Sequence, residues 1–207
     1  RRTIDDARTL AELELTYRDE HLEGASSYSE VAFGGTMPKT GADSPWDAAT
    51  PVAIPETGFA IKGYIDRLDL SGDGARALVR DYKTGRPPKD DISVDAGREL
   101  QRCLYAFAVK ALLGADVSIS ASLLYPRTGT DLQLADPEAT LGELTGYLQS
   151  ANTSLSAGHA LIGPDTGGTY DDLAFALPAN AGATYCKRKT PAATELLGDA
   201  ALVWEAQ

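Results

Sequence analysis

Three residues of this chain, Asp66, Asp81 and Lys83, have side chains and a spacing that suit metal-dependent hydrolysis. Residues 58–69 and 75–83 are rich in apolar and β-prone residues and are separated by a glycine-rich turn, which predicts a β-hairpin. The hairpin places the two aspartates close together, and a divalent cation such as Mg²⁺ or Mn²⁺ relieves the repulsion between such carboxylates. Lys83 shares a strand face with Asp81 and can orient a water molecule or stabilise an anionic transition state.

The segment that follows the hairpin adds two polar residues to this pattern. An Asp-x-Lys tripeptide alone is a weak signal, because it is usually an ordinary solvated strand end. Residues 98–113, however, predict a strong helix that is closed by Gly114 and carries an apolar stripe. Gln101 and Tyr105 are four residues apart on this helix, so they project from one face together.

The order Gly-x-Ile-Asp, Asp-x-Lys-Thr-Gly and then Gln-x-x-x-Tyr resembles the PD-(D/E)XK nuclease superfamily, and most of all the nuclease domains of RecB and AddB. The resemblance implies a metal-dependent cleavage centre in which Asp66 and Asp81 bind Mg²⁺ or Mn²⁺. Lys83 acts beside them, and Gln101 and Tyr105 complete the catalytic set. By the same resemblance, the chain is a metal-dependent DNA exonuclease of repair and recombination, in a helicase–nuclease.

The implied fold is α/β (α+β), a restriction-endonuclease-like core with a central mixed sheet flanked by helices. Its parts are predicted in order: a helix at residues 3–22, a strand at 28–33, the hairpin, the helix that carries Gln101, and a strand at 117–125. An edge strand at 131–134 and a last long helix at 137–157 follow. We expect residues 1–207 to form a single domain of this type.

Composition limits the partners that the chain can have. Its 207 residues are 43% hydrophobic, which is enough for one full-sized core, and the formal net charge is −11. This balance argues against a basic DNA-coating protein. Basic residues near the hairpin and on the next helix can still line a groove, and a partner domain can supply a positive channel. The predicted DNA contacts are Arg67, Arg86, Lys89, Arg98 and Arg102.

The termini and the cysteines bear on the setting of the protein. The sequence contains no run of 18 apolar residues, so no membrane span is predicted. Two cysteines, Cys103 and Cys186, make a disulfide framework unexpected and are typical of a reducing cytoplasm. A start at Arg1 without methionine or a signal sequence suggests a fragment of a longer chain, and a helicase region is one candidate for the rest.

Three further features resemble the RecB and AddB type only in part. Residues 159–207 are read as a C-terminal extension in which 183–189 resembles a degenerate Cys-x-x-Cys tail. Four thiolates are needed for an ordinary iron–sulfur cluster, so none is expected. Glu30 resembles a glutamate of the family, with an edge-strand charge as the equal alternative. His21 is too close to the next strand to match the family's metal-binding histidine.

Two other interpretations remain open. The first is a nuclease-like fold that serves as a DNA-binding or structural module of a larger complex, with weak or absent cleavage. The acidic balance and the missing histidine favour it, whereas the complete Asp, Asp, Lys, Gln and Tyr set opposes it. The second is an unrelated acidic α/β enzyme acting on a small phosphorylated substrate, and it lacks a glycine-rich phosphate loop.

Overall fold

The computed structural model describes residues 2–21, 24–89, 99–159, 181–198 and 201. These residues form a five-stranded mixed sheet with helices around it and a separate two-stranded ribbon. The helices are α1 (Arg2–His21), α2 (Gln101–Leu113), α3 (Pro137–Ser156) and α4 (Ala181–Leu196). The strands are β1 (Ser26–Phe33), β2 (Val52–Ala53), β3 (Ala60–Ile61), β4 (Gly63–Leu70), β5 (Arg76–Tyr82), β6 (Ser118–Tyr125) and β7 (Thr130–Gln133).

The predicted hairpin lies at the centre of the larger sheet. The strand order is β1-β4-β5-β6-β7, and the pair β5 and β6 is parallel while the other neighbours are antiparallel. Parallel neighbours need a crossover connection, and α2 lies in the connection from β5 to β6. The predicted mixed sheet flanked by helices is therefore confirmed, with β7 at one edge and β1 at the other.

Helix α2 is packed tightly against the sheet because small side chains line its buried face. Cys103, Ala106, Ala108 and Val109 are all buried and join strand residues such as Val79 in one apolar cluster. Small residues let the helix backbone approach the strands, so the position of α2 above β5 and β6 is well determined. This packing fixes the start of the helix, where Gln101 lies, relative to the hairpin.

The first strand of the hairpin begins later than predicted. Ala60 and Ile61 pair with Val52 and Ala53 in the separate ribbon, and β4 starts only at Gly63. The ribbon also lies partly within residues 34–55, whose content of Gly, Pro, Ser and Asp predicts a loop. The prediction was wrong here because the ribbon depends on a pairing between distant residues, and local composition does not reveal such a pairing.

Gly34 marks the place where the chain leaving β1 passes the ribbon. Its φ is +68°, and a Cβ at this position would lie 2.1 Å from the carbonyl oxygen of Ile61. We expect Gly34→Ala to lower the free energy of unfolding by at least about 3 kcal/mol, because backbone strain and a backbone clash act together. Urea unfolding measures this loss.

Gly35→Ala is the matched control for Gly34→Ala. Gly35 also has a positive φ, +87°, but no heavy atom lies within 4 Å of a Cβ built there. Its loss should be about 1–2 kcal/mol, the cost of a left-handed residue alone. Equal losses in the two variants would show that the close approach at Ile61 has no energetic weight.

The C-terminal segment contains a helix that the sequence did not predict. Residues 183–189, interpreted as a degenerate cluster tail, lie within α4, and Pro191 lies inside the same helix. Ala193 is buried, and the hydroxyl of Ser154 on α3 donates to the carbonyl of Leu196 at 3.2 Å. The end of α4 is therefore packed against α3. The side chains of His21 and Cys186 lie outside the described residues.

No helix within the described ranges has both the length and the apolar character needed to cross a bilayer.

Candidate active site

The two strands of the hairpin separate at Asp66 and Asp81. The antiparallel ladder between β4 and β5 ends at the pair Arg67 and Arg80, and the next residues in the same register are the two aspartates. Beyond this point the backbone N–H of Tyr82 donates to Oδ2 of Asp66 at 3.1 Å. A side-chain carboxylate thus takes the place of a ladder carbonyl, and the predicted meeting of the two aspartates occurs at this fork.

Asp81 is a buried carboxylate with one cation beside it. Its residue is 3% exposed, and its Oδ2 lies 2.5 Å from Nζ of Lys83. Burial raises the pKa of Asp81, and the nearby ammonium of Lys83 opposes that shift. Among the described residues, this oxygen has no donor with good hydrogen-bond geometry, so the ion pair alone offsets its charge. An incompletely satisfied buried carboxylate favours a second cation.

A chain of polar contacts runs from Asp81 to helix α2. The ammonium of Lys83 also donates to Oε1 of Gln101, and Nε2 of Gln101 donates to the hydroxyl of Tyr105 at 3.3 Å. The ring of Tyr105 packs edge-on against Phe33, with ring centroids 6.1 Å apart. Tyr105, the last residue in this series of contacts, is therefore held in the core. The sequence placed Gln101 and Tyr105 on one helix face, and they lie there together.

Burial and nearby negative charge keep the phenol of Tyr105 protonated. Burial is the largest cause that raises its pKa, and the charges of Asp81, Asp66 and Glu30 raise it further. Tyr105 therefore lies close enough to sense all three carboxylates. The five predicted catalytic residues are thus gathered at one place, although their catalytic roles stay a prediction.

Glu30 extends the row of carboxylates to a third strand. It lies on β1 between the pairs Ser29 with Arg67 and Val31 with Ile65, which puts it level with Asp66. Its φ is +54°, an uncommon conformation for a residue with a side chain. Its carboxylate binds Nζ of Lys39 at 2.5 Å. Glu30, Asp66 and Asp81 therefore follow one another across three neighbouring strands.

Asp66 and Asp81 suit a hard divalent cation that keeps water ligands better than they suit a metal ion enclosed by protein ligands alone. Within the described ranges, no group of three or more His, Cys, Asp or Glu side chains is arranged to hold a metal ion. Mg²⁺ usually keeps several water ligands and needs only one or two protein carboxylates. Asp66 and the unsatisfied oxygen of Asp81 meet that requirement. Structural zinc sites instead need closed sets of four ligands.

A comparison with protein families assigns the chain to a known group. The family model of the PD-(D/E)XK nuclease superfamily matches residues 3–187, which include all five predicted catalytic residues. The chain belongs to the PD-(D/E)XK nuclease superfamily. Proteins of this superfamily are generally nucleases and typically use divalent metals. No curated protein matches the chain at a significant level.

The opposite face of the PD-(D/E)XK sheet carries a second charged cluster. Arg80 is buried and forms ion pairs with Asp69 and, at 2.9 Å, with Glu14 of α1. Arg67 contacts Asp69 at 3.0 Å, and the hydroxyl of Tyr82 donates to Glu14 at 2.6 Å. Because strand side chains alternate between faces, this cluster lies on the other side of the sheet from Asp66 and Asp81. It joins α1 to the hairpin.

Two predicted DNA contacts are therefore corrected. Arg67 belongs to the charged cluster on the far face, so it does not face a strand bound at the aspartates. The side chain of Arg102 is 1% exposed; its Nε contacts Glu99 at 2.9 Å and it donates to the carbonyl of Leu132 at 3.0 Å. A buried guanidinium with these partners supports the fold and is not open to a phosphate.

The remaining predicted contacts have different outcomes. Arg86 and Lys89 are exposed in the segment that follows β5, so their charged ends are open to solvent. Arg98 lies outside the described residues. Contact with DNA stays a prediction for all three.

The sequence interpretation missed three charged residues of the PD-(D/E)XK core. Glu99 accepts from the backbone N–H of Arg102 at 3.2 Å, and its charge contributes to the raised pKa of Asp81. An acidic residue just before a helix is a recognisable capping signal, so Glu99 could have been found. Glu14 and Lys39 have no such signal, because their partners are distant in sequence.

Proposed function

We propose that this PD-(D/E)XK domain is a Mg²⁺-dependent deoxyribonuclease that hydrolyses phosphodiester bonds as an exonuclease. The observation that carries the proposal is the contact chain from Asp81 through Lys83 and Gln101 to Tyr105, located beside Asp66. These contacts orient the ammonium of Lys83 at the point where β4 and β5 separate, next to the carboxylates of Asp66 and Asp81. A structural role alone would not need a lysine that is 31% exposed and held from two sides.

Each residue has a defined task in this proposal. Asp66 and Asp81 hold the metal, which when bound lowers the pKa of a water molecule and offsets phosphate charge. Lys83 is held beside Asp81, and its ammonium donates hydrogen bonds to the attacking water and to the charged phosphate. Gln101 orients the lysine, and Tyr105 fixes the amide of Gln101.

Asp81→Asn tests the proposal with a small change in shape. In the full chain with Mg²⁺, we expect the wild type to degrade linear single- or double-stranded DNA, with no cleavage in EDTA. Asp81→Asn should show no measurable cleavage, because it removes a metal-binding charge. Asp116→Asn is the matched control, since Asp116 is exposed in the turn before β6, and it should behave as the wild type.

The metal-free proteins give a second readout for the same substitution. Burial raises the pKa of Asp81. At a pH above the ordinary pKa of a carboxyl, the charged Asp81 therefore lowers the free energy of unfolding. Asp81→Asn should therefore raise the melting temperature near neutral pH without metal. The gain should shrink as the pH falls through the raised pKa and the native carboxyl takes up a proton. A loss of melting temperature at neutral pH would contradict this account.

A nuclease-like DNA-binding or structural module is the second candidate. The net charge of −11 favours it, as do Arg67 and Arg102, whose charges are used inside the fold. If the wild type binds DNA but cleaves none with Mg²⁺ or Mn²⁺, this candidate replaces the nuclease.

The biological setting of the nuclease is also part of the proposal. A role in DNA repair and recombination, a RecB or AddB type, a helicase domain or subunit as partner, and a cytoplasmic location all rest on the motif resemblance and on cysteine content. The acidic balance is consistent with a partner that supplies positive surface for the DNA. Co-purification of the full-length protein tests that partnership.

A further inference from the structure

The loop that follows β1 is held next to the row of carboxylates. The backbone N–H of Gly35 donates to Ala48 at 2.8 Å, and the indole N–H of Trp46 donates to Ala32 at 2.8 Å. These bonds close the base of the loop onto the end of β1. The loop therefore has a defined position, and residues at its tip stay close to the site.

Tyr64 connects the tip of this loop to strand β4. Its hydroxyl donates to the carbonyl of Met37 at 2.6 Å, and its ring lies 4.9 Å from Nζ of Lys39. Tyr64 precedes Asp66 by two residues on the same strand, so both side chains leave the same face about 7 Å apart. The ammonium of Lys39 therefore contacts the ring of Tyr64, which is the neighbour of Asp66 on the same face of β4.

The ion pair between Lys39 and Glu30 leaves the ammonium available for exchange. The two side chains are 50% and 46% exposed, so solvent screens their attraction and water can hydrate either group when they separate. The pKa of Lys39 is raised, first by its hydrogen bond to Glu30 and also by the charge of Asp66. The side chain of Lys39 is therefore positively charged when it binds another partner.

A nucleic acid strand that enters this site needs cations beyond those at the cleavage point. The phosphate bound at Asp66 and Asp81 is followed along its strand by another phosphate one nucleotide away, a distance similar to that between Asp66 and Tyr64. The Tyr64 ring holds the ammonium by a cation–π contact without neutralising it. A phosphate can therefore replace Glu30 as the partner of Lys39 while the ring keeps the side chain in place.

We propose that Lys39 binds the phosphate next to the scissile phosphate on the cleaved strand, exchanging Glu30 for it when DNA enters. This inference rests on the proposed function, because it takes the aspartate fork as the cleavage point. Lys39 is a substrate-binding residue in this account, so its loss weakens binding of DNA more than it slows cleavage of bound DNA.

The test compares Lys39→Ala with Lys110→Ala in the full chain. Lys110 is also a partly exposed lysine paired with a glutamate, Glu138, but it lies in the last turn of α2, far from Gln101 at its start. Each variant removes one charge and one ion pair. Lys39→Arg keeps the charge and serves as the conservative variant, and melting temperatures show that all three are folded.

DNA binding is measured first in EDTA, so that it does not depend on cleavage. A labelled short single strand is titrated by fluorescence anisotropy over a range of salt concentrations. Lys39→Ala should weaken binding about fivefold. It should also reduce the slope of log K against log salt by about 0.7, the value for one lost phosphate contact on a single strand. Lys39→Arg and Lys110→Ala should keep the wild-type slope.

Steady-state kinetics with Mg²⁺ provide the second measurement. Lys39→Ala should raise KM about fivefold and change kcat little, because the contact is made equally before and during cleavage. A wild-type slope in Lys39→Ala, or no binding of DNA by the wild type, would overturn the assignment. Wild-type protein that binds with the predicted slopes but does not cleave would overturn the nuclease proposal and leave Lys39 as a DNA contact.

Discussion

Lys83→Ala should lower kcat for DNA cleavage by at least about 10²–10³-fold, the loss typical of removing one donor that stabilises transition-state charge. The ammonium of Lys83 is held by Asp81 on one side and by Gln101 on the other, so its position is fixed before substrate arrives. No other described contact supplies a cation to Asp81 Oδ2 in its place. Rapid-quench measurement of single turnovers reports this loss separately from product release.

Metal binding separates the role of Lys83 from that of Asp81. Lys83→Ala should bind Mn²⁺ at least as tightly as the wild type, because a competing cation has been removed from beside Asp81. Asp81→Asn should lose both Mn²⁺ affinity and cleavage. Calorimetric titration with Mn²⁺ makes the comparison. If Lys83→Ala lost metal affinity as Asp81→Asn does, the lysine would be supporting the metal site and not the reaction.

Tyr105→Phe is the matched mild variant for this contact chain. It removes only the hydroxyl that receives a hydrogen bond from Gln101, and the ring can still pack against Phe33. Its kcat should fall about tenfold or less, because one neutral hydrogen bond of about 1 kcal/mol is lost. A loss as large as that of Lys83→Ala would mean that the phenol itself takes part in the reaction.

The elements that carry the predicted site could be found from the sequence because their signals are local. The hairpin follows from alternating β-prone residues around a glycine-rich turn, and α2 follows from apolar spacing that ends at Gly114. Once both elements exist, the spacing of Gln101 and Tyr105 and of Asp81 and Lys83 fixes which side chains share a face. The contacts among Asp81, Lys83 and Gln101 then need only the packing of α2 on β5.

Most of the errors concern properties that depend on packing between distant segments. Arg102 was predicted as an exposed contact because charged residues usually remain in water, whereas Glu99 and the backbone carbonyls of Leu132 and Gln133 in β7 bind its guanidinium. Arg67 is an exception, because it directly follows Asp66 in β4 and strand alternation alone puts the two side chains on opposite faces. Helix α4 was missed because Pro191 normally indicates a break. The burial of Arg102 against β7 and the packing of α4 on α3 are not encoded in a window of neighbouring residues.

Asp69→Ala should lower the free energy of unfolding by about 3–5 kcal/mol, because it leaves a buried guanidinium without its main partner. Arg80 is 2% exposed, and the side chain of Asp69 is 8% exposed. Arg67→Ala is the control within the same cluster. The Arg67 side chain is 27% exposed, so its loss should cost less than about 1 kcal/mol. Urea unfolding of the metal-free proteins measures both changes.

A double replacement tests whether the cluster stabilises the fold or only tolerates charge. Asp69→Leu combined with Arg80→Met removes both buried charges together, and it should recover most of the stability lost in Asp69→Ala. The cluster lies on the face of the sheet opposite to the aspartate fork, so the folded fraction of each variant should keep wild-type kcat. If Asp69→Ala were as stable as the wild type, the buried pair of Asp69 and Arg80 would not stabilise the fold. If it were stable but inactive, the two faces of the sheet would be coupled through Tyr82, whose hydroxyl binds Glu14 and whose backbone N–H holds Asp66.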